Sequence, residues 1–299
     1  MEFCKSLMST RQQIRERLDK KARWTPLRGE PGPLIIIGGA EDKTGECRIL
    51  REFLRLGGGT AARVLVMTVA TELPIEVGMD YVEIFKRLGA EDVRTFDVSD
   101  RKAADRDSAV QFVRDATCIF FTGGDQLRIT KLLGGTRIDS ALHDALGQGI
   151  PLGGTSAGAS MMSSTMIVDG EAETNPRISV VQMAPGMEFV DGVVIDQHFA
   201  QRGRLGRLLS AVAQYPHHLG LGLDEDTAVV VQGEAMRVIG SGAVSVVDAG
   251  ALAHSNLERV RKDESLALCG VKLHILPEGY GFHLRKREPI TDWGRWESS

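Results

Sequence analysis

Short apolar runs alternate with amphipathic stretches along the chain from residue 34 onwards. The runs LIIIGGA, ARVLVMTVA, VRTFDV, TCIFFTGGDQ and IPLGGTSAG predict five β-strands, and the stretches between them carry apolar residues at helical spacing. Strands that alternate with helices form right-handed βαβ units. The pattern therefore predicts an α/β fold, with a mostly parallel sheet that is covered by helices on both faces.

The pattern becomes less regular after about Val168. GVVIDQHF predicts a strand, RLGRLLSAVAQY predicts a helix, and TAVVVQGEAMRVIGSGAVSVVDA predicts a set of short antiparallel strands around glycine-containing turns. VKLHILPEGYGFHL predicts a strand pair, which is followed by a tail. The C-terminal part of the fold is therefore expected to be rich in β-structure.

The same pattern predicts how the chain is divided. Residues 34–299 are expected to form a single α/β domain, because no internal repeat or low-complexity tract interrupts them. Residues 1–33 carry frequent charges and close on a cluster of Pro and Gly. They are expected to form a short helical arm and a linker outside the domain. A mobile extension without a role is the alternative.

Charge and hydropathy exclude several classes of protein. Lys and Arg number 36 against 40 Asp and Glu, a net charge of −4, which disfavours a protein that binds nucleic acid through a basic surface. No apolar run approaches the about 20 residues that a membrane span needs. The N-terminus lacks the apolar core of a secretory signal peptide, so we expect neither secretion nor membrane insertion.

The cysteines argue against a metal centre or a disulfide framework. Cys4, Cys47, Cys118 and Cys269 are widely separated, without the paired spacing that either would require. No His, Cys or Asp cluster has the spacing of metal ligands, so no metal or other cofactor is expected. We interpret the thiols as reduced and the protein as cytoplasmic.

The most informative stretch is Gly154–Gly158, which reads Gly-Thr-Ser-Ala-Gly and matches the G-x-S-x-G nucleophile elbow. A strand-like run precedes it and a helix can start after it, so the turn would expose the hydroxyl of Ser156. The amide of Ala157 would lie at a helix N-terminus, where it can hold an oxyanion. Gly124 ends the preceding strand at the same crevice, which makes its amide the second candidate donor. A Gly/Ser-rich turn without chemistry is the alternative.

A serine hydroxyl requires a base, because it is a weak nucleophile at neutral pH. Among seven histidines, His198 is the candidate, since it ends an apolar strand and is flanked by polar residues. It can therefore emerge at the carboxyl edge of the sheet. His217 and His218 follow a helix and are expected to face solvent or to cap that helix. A purely structural role for His198 is the alternative.

Three arginines, Arg202, Arg204 and Arg207, lie within a span of six residues shortly after this histidine. Guanidinium groups bind carboxylates bidentately, so the cluster is suited to a substrate rich in carboxylates. A solvated basic face at the start of a helix is the alternative. Cations at a helix N-terminus oppose the macrodipole, however, and a substrate with carboxylates would offset that cost.

Taken together, these motifs resemble the cyanophycinase family of serine exopeptidases. The resemblance extends from about Leu34 to about Ile275 and rests on IIIGGAEDK, FTGGDQLR, GGTSAGAS, DQHFAQRGRLGRLL and GLGLDEDTA. It implies a fold like that of class I glutamine amidotransferase domains and a homodimer. It also implies hydrolysis of cyanophycin, a poly-aspartate with arginine on each side-chain carboxyl, to β-Asp-Arg dipeptides.

The resemblance also implies roles for the matching positions. Ser156 would be the nucleophile, His198 the general base, and the amides of Gly124 and Ala157 the oxyanion hole. The side chains that would line the substrate pocket are Gln126, Asp196, Gln197, Arg202, Arg204 and Arg207. Charge complementarity suggests that Asp196 receives the guanidinium group of a substrate arginine.

The acid that orients the histidine is the least defined part of the site. The family places a Glu just before a Pro-containing segment, which corresponds to Thr174 when counted back from Pro176. Glu173 lies one residue away and Glu171 three residues away, and we predict Glu173 as the acid. The acidic run Asp224–Asp226 is predicted to be a hydrogen-bonded turn between strands, with a structural role.

Two other functions fit parts of the sequence. Gly-Thr-Ser-Ala-Gly also suits dipeptidases that act on aspartyl or isoaspartyl peptides, although these would not need three arginines after the histidine. A non-catalytic amidotransferase-like domain could bind a partner or metabolite on the same fold. The joint occurrence of serine, glycine, histidine and arginines favours the exopeptidase.

Overall fold

Strands and helices alternate through the first half of the chain, as the hydrophobic pattern predicts. The computed structural model describes residues 30–172 and 175–293. Its strands are β1 (Leu34–Ile37), β2 (Arg63–Met67), β3 (Asp92–Phe96), β4 (Cys118–Phe121), β5 (Leu152–Thr155), β6 (Thr165–Gly170), β7 (Val181–Pro185), β8 (Val193–Asp196), β9 (Leu219–Leu223), β10 (Thr227–Gln232), β11 (Ala235–Gly240), β12 (Ala243–Asp248), β13 (His254–Ser255), β14 (Leu268–Cys269), β15 (Lys272–Pro277), β16 (Gly281–His283) and β17 (Glu288–Ile290). Its α-helices are α1 (Arg48–Leu56), α2 (Pro74–Arg87), α3 (Arg101–Ala104), α4 (Asp107–Asp115), α5 (Gln126–Leu133), α6 (Arg137–Gly147), α7 (Ala157–Ser160) and α8 (Leu205–Gln214).

The five predicted strands form the parallel centre of a nine-stranded sheet, in the order β1-β5-β4-β2-β3. On the other side of β1, the strands β10, β11, β16 and β17 continue the same sheet in antiparallel pairing. The predicted parallel sheet is therefore a mixed sheet, because part of the β-rich C-terminal region joins it. The predicted α/β fold class is confirmed.

Both faces of the sheet are buried, which explains why β1 is an uninterrupted apolar run. Ile35 and Ile37 pack on one face with side chains of α1 and α2. Leu34 and Ile36 pack on the opposite face with side chains of α4, α5 and α6. Successive side chains of a strand point to opposite faces, so a strand covered on both faces needs apolar residues at every position. Helices on both faces are thus confirmed.

A second sheet has four strands in the order β15-β12-β9-β8, and β8 and β9 within it are parallel. The prediction that VKLHILPEGYGFHL forms a strand pair is wrong. β15 pairs with β12 in the small sheet, whereas β16 pairs with β11 in the large one. Phe282 of β16 is fully buried in the main core, whereas Leu273 and Ile275 of β15 are exposed. Burial of that aromatic ring directs the chain into the larger sheet.

The helix predicted after β1 begins later than its pattern suggests. Residues 41–47 form a closed loop instead, in which the Asp42 carboxylate accepts hydrogen bonds from the amides of Thr44, Gly45 and Cys47 at 2.7–3.0 Å. The same amides, Cys47 first, hold the pKa of Asp42 below its usual value. Local side-chain bonds of this kind compete with helix formation, so α1 starts only at Arg48.

Two sequence predictions concern parts of the chain that are only partly described. Of the predicted arm and linker, residues 1–29 lie outside the described residues. In residues 30–172 and 175–293, no helix combines the length and the apolar character needed to cross a membrane.

Candidate active site

Ser156 occupies a strained turn between β5 and α7. Its backbone has φ 52° and ψ −109°, a conformation that costs a non-glycine residue about 1–3 kcal/mol. The flanking glycines allow the turn: a Cβ at Gly154 would lie 2.2 Å from the carbonyl oxygen of Gly158, and one at Gly158 would lie 2.5 Å from that of Phe121. This is the geometry of a nucleophile elbow, which leaves the serine side chain only partly buried.

His198 lies directly beside this serine. One residue, Gln197, separates it from β8, and its backbone has φ 48°. Its Nε2 atom is 3.1 Å from Oγ of Ser156. Its backbone amide donates to the carbonyl oxygen of Gly38, at the end of β1. The space around the imidazole is tight, since a Cβ at Gly39 would lie 2.4 Å from ring atom Cε1. The structure thus brings the two residues together as the sequence predicts.

The acidic partner of the histidine is Glu225. Its Oε1 atom lies 2.7 Å from Nδ1 of His198. A carboxylate can only accept, so Nδ1 carries the proton and Nε2 is left to accept from the serine hydroxyl. The backbone amide of Glu225 is held in turn by Oε1 of Gln201 at 3.0 Å. Serine, histidine and glutamate therefore form a continuous line of hydrogen bonds.

The acid that contacts His198 is a different residue from the predicted one. Glu173 lies outside the described residues, and the proton of Nδ1 is accepted by Glu225, so the role of Glu173 stays a prediction. Glu171, the other candidate, is ion-paired with Arg177 at 2.8 Å and largely exposed. The acid comes instead from the run Asp224–Asp226, which the sequence analysis interprets as a structural turn.

That structural interpretation holds for the two flanking aspartates. The Asp224 carboxylate accepts from the amides of Ala200 and Ala243, and Asp226 accepts from the amide of Asp42. A signal for Glu225 was nevertheless present in the sequence pattern. It comes shortly after β9, the parallel neighbour of the strand that precedes His198, and neighbouring parallel strands open on one crevice.

The loop after β4 lies against the nucleophile, as predicted for an oxyanion hole. A Cβ at Gly123 would lie 3.5 Å from Cβ of Ser156. Gly124 has φ 143°, and a Cβ there would lie 2.2 Å from the carbonyl oxygen of Ala70, so only glycine fits this backbone path. Ala157 begins α7, where amides point out of the helix N-terminus. Both predicted donors therefore belong to segments that border Ser156.

Two of the predicted pocket residues form an internal ion pair. Asp196 is 1% exposed, and its carboxylate is bound bidentately by Nε and Nη2 of Arg207 at 2.7 and 2.5 Å. Arg207 is 5% exposed and also donates to the carbonyl oxygen of Gly170. The suggestion that Asp196 receives a substrate guanidinium is therefore wrong in this structure, because both of its carboxylate oxygens already accept hydrogen bonds from the guanidinium group of Arg207.

Arg204 and Arg202 differ in their surroundings. Nη1 of Arg204 donates to both the backbone oxygen and Oε1 of Gln197, at 2.6 and 2.7 Å, and its buried Nε has no hydrogen-bond partner among the described residues. Burial, and next the nearby charge of Arg207, lower the pKa of Arg204 to about 10. It therefore stays charged at neutral pH. Arg202 is exposed, one turn after the histidine.

Gln126, another predicted pocket residue, is bound by the backbone of the protein. Its Nε2 atom donates to the carbonyl oxygens of Ile167 and Val168, at 2.9 and 2.8 Å, and the residue is 9% exposed. It ties the start of α5 to β6. Of the six predicted pocket residues, Arg202 thus presents an exposed side chain. Arg204 is buried 3.5 Å from Asp196 and keeps one N–H that has no hydrogen-bond partner in the described part of the chain.

The ion pair of Asp196 and Arg207 gives a stability prediction. Arg207→Ala removes the bidentate partner of the buried Asp196 carboxylate and leaves Nη1 of Arg204 at 3.5 Å from it, so we expect the free energy of unfolding to fall by about 3–5 kcal/mol. The control is Arg94→Ala, since Arg94 is half exposed beside Asp92 and its pair is worth about 0–1 kcal/mol. Urea denaturation of both variants measures the difference. Equal losses would contradict the buried pairing.

Most of the chain is similar in sequence to known proteins. The family model described as peptidase family S51 matches residues 34–239. Proteins named cyanophycinase are similar: that of Geminocystis herdmanii is 39% identical over 86% of this chain and 96% of its own. That of Nostoc is 38% identical over 85% and 86%, and that of Synechococcus elongatus 37% over 87% and 81%.

A solved structure is also similar. A peptidase from an acI-B1 Actinobacterium superposes with a TM-score of 0.62, covering 85% of this chain and 98% of that one. Its sequence is 22% identical to this chain, so the likeness concerns the fold. The α/β arrangement described above is therefore one that a peptidase uses.

Proposed function

The chain belongs to peptidase family S51, and we propose that it is a serine exopeptidase that hydrolyses cyanophycin to β-Asp-Arg dipeptides. The observation that carries the proposal is the line of hydrogen bonds from Ser156 through His198 to Glu225, at 3.1 and 2.7 Å. The choice of substrate is supported by relatives named cyanophycinase at 37–39% identity over most of both chains.

In the proposed reaction, Ser156 attacks a backbone carbonyl carbon of the polymer. Nε2 of His198 takes the hydroxyl proton as the Oγ–C bond forms, and the carbonyl oxygen becomes the oxyanion of a tetrahedral intermediate. The amides of Gly124 and Ala157 donate to that oxygen. Preorganised donors of this kind contribute about 2.7–4 kcal/mol each to the stabilisation of the transition state.

The intermediate then collapses to an acyl-enzyme. Nε2 of His198 returns its proton to the leaving amine, and the C–N bond breaks. Water attacks the ester in the second half-reaction, with the same nitrogen as base, and the acid product leaves as Ser156 regains its proton. The Glu225 carboxylate holds the Nδ1–H throughout and stabilises the imidazolium that forms transiently.

Substrate carboxylates are proposed to bind the cations that follow the histidine. Arg202 is exposed one turn beyond His198, and Arg204 is charged and has a buried N–H without a partner among the described residues. Guanidinium groups suit the planar carboxylate of a polymer terminus. Asp196 and Arg207 act behind this surface, since each neutralises the other. We propose a homodimer in the cytoplasm as the working form.

Mass spectrometry of the products tests the proposed function. Purified protein is incubated with insoluble cyanophycin and, separately, with Asp-Leu and β-Asp-Leu. We expect β-Asp-Arg from the polymer, without longer soluble fragments at early times, since an exopeptidase releases dipeptides from the chain end. Cleavage of the dipeptides alone would contradict the proposal and favour an aspartyl or isoaspartyl dipeptidase. If the protein cleaved neither cyanophycin nor either dipeptide, both the exopeptidase and the dipeptidase function would be overturned.

A further inference from the structure

The reaction above does not use Glu41, although it is a buried carboxylate near the nucleophile. It is 4% exposed, in the loop after β1. Oε2 accepts from Oγ1 of Thr155 at 2.6 Å, and Oε1 accepts from the hydroxyl of Tyr81 at 2.5 Å. Nζ of Lys43 lies 3.7 Å from Oε1. Each carboxylate oxygen thus has a hydroxyl donor, which a buried charge requires.

The segment that leads to Glu41 contacts the backbone of the whole catalytic group. The carbonyl oxygen of Ile37 accepts from the amide of Ser156 at 3.0 Å, and that of Gly38 accepts from the amide of His198 at 2.8 Å. The next carbonyl, of Gly39, accepts from Asp226, the neighbour of the catalytic acid, at 2.9 Å. Three consecutive carbonyls therefore set the relative positions of serine, base and acid.

We propose that Glu41 is a positioning residue for the nucleophile, acting through the hydroxyl of Thr155. Thr155 directly precedes Ser156 and is 4% exposed. Its hydrogen bond joins the end of β5 to the same loop that holds the backbone of His198. The proposal rests on the proposed serine-peptidase function of this site.

The strained backbone of Ser156 makes such a tether effective. A residue at φ 52° and ψ −109° keeps that conformation only where its surroundings over-determine it. The amide of Ser156 is held by Ile37, and the side chain of the preceding residue is held by Glu41. Loss of the second tether allows Oγ to move relative to Nε2 of His198. A displacement of about 1 Å is enough to lower a rate by about 10²-fold.

The second hydrogen bond of the Glu41 carboxylate anchors it to the rigid core through Tyr81. Tyr81 is 2% exposed on α2, and its ring packs against those of Phe85 and Phe120 in the core on the α1 and α2 face of the large sheet. Burial, and next the charge of Glu41, raise the pKa of Tyr81 well above its usual value, so its hydroxyl remains a donor. The carboxylate is therefore fixed by the core on one side and fixes the nucleophile on the other.

Paired substitutions at Thr155 test the proposal. Thr155→Val keeps the shape and removes the donor, whereas Thr155→Ser keeps the hydroxyl. We expect Thr155→Val to lower kcat by about 10- to 10²-fold, with KM within about twofold. We expect Thr155→Ser to recover most of that loss. Labelling of Ser156 by a fluorophosphonate should slow in parallel, and Glu83→Gln, an exposed carboxylate on α2, should change neither rate.

A double-variant comparison assigns the effect to Glu41. Glu41→Gln offers one acceptor oxygen where the carboxylate offers two, so the factor lost through Thr155→Val should be smaller in this background than in wild type. An equal factor in both backgrounds would overturn the proposal. Equal rates for Thr155→Val and Thr155→Ser would also overturn it.

All these rates are measured where circular dichroism shows every variant folded, so unfolding cannot account for a loss. The labelling readout does not depend on the substrate. Wild type that is labelled but leaves cyanophycin intact would refute the proposed function, while the labelling comparison would still decide the role of Glu41.

Discussion

Ser156→Ala is expected to lower kcat for release of β-Asp-Arg from cyanophycin by about 10⁴- to 10⁶-fold. The substitution removes the Oγ atom that lies 3.1 Å from Nε2 of His198, and no acyl-enzyme can form without it. Mass spectrometric quantification of dipeptide over time measures the rate. The loss is the largest predicted for this chain, because acylation is the step in which the C–N bond breaks.

Two observations make that result specific. Ser164→Ala changes a partly exposed serine in the loop before β6 and should leave the rate unchanged. The Ser156→Ala protein should still sediment with insoluble cyanophycin, since the arginines proposed to bind carboxylates are intact. A Ser156→Ala variant that retains more than about one hundredth of the wild-type rate would contradict nucleophilic catalysis by this serine.

The parallel centre of the fold could be predicted because its signals are local. The strands β1, β2 and β4 are short apolar runs bounded by polar or glycine-rich turns, and burial on both faces requires such runs. The destination of β16 could not be predicted in this way. Phe282 pairs a three-residue strand with β11, a contact that depends on the finished core and leaves no periodicity behind.

The loop at residues 41–47 shows a second limit. It lies in the stretch between the first two predicted strands, which the hydrophobic pattern as a whole predicts to be helical. The Asp42 carboxylate captures three amides, however, and Asp42 is itself held by Asp226 from 184 residues away. A distant side chain therefore stabilises the non-helical loop, which also carries the Glu41 side chain that contacts Thr155.

In the candidate site, too, some residues are marked by local sequence features and others are defined only by the folded structure. Ser156 and His198 could be found from the sequence, because the elbow motif and a histidine after an apolar strand are local features. The charges behind them could not be assigned, since Asp196 and Arg207 look the same in sequence whether they bind substrate or each other. Their pairing follows from the packing of α8 beside β8, which brings a buried guanidinium to a buried carboxylate.

Glu225→Gln is expected to lower kcat by about 10²- to 10⁴-fold. An amide can donate as well as accept, so a glutamine that donates to Nδ1 of His198 leaves the proton on Nε2. The imidazole in that form cannot accept the hydroxyl proton of Ser156. Glutamine also lacks the charge that stabilises the imidazolium formed during attack. KM should change little, because Glu225 lies on the side of His198 away from the serine.

Parallel variants decide which glutamate orients the histidine. Glu171→Gln breaks an exposed ion pair with Arg177 and should leave kcat within about twofold, since exposed pairs contribute little. Glu225→Asp, with a shorter side chain, should retain more activity than Glu225→Gln because it can still only accept from Nδ1. A large loss in Glu173→Gln together with a small one in Glu225→Gln would instead restore the acid predicted from the sequence. The distance of 2.7 Å between Glu225 and the imidazole predicts the reverse order.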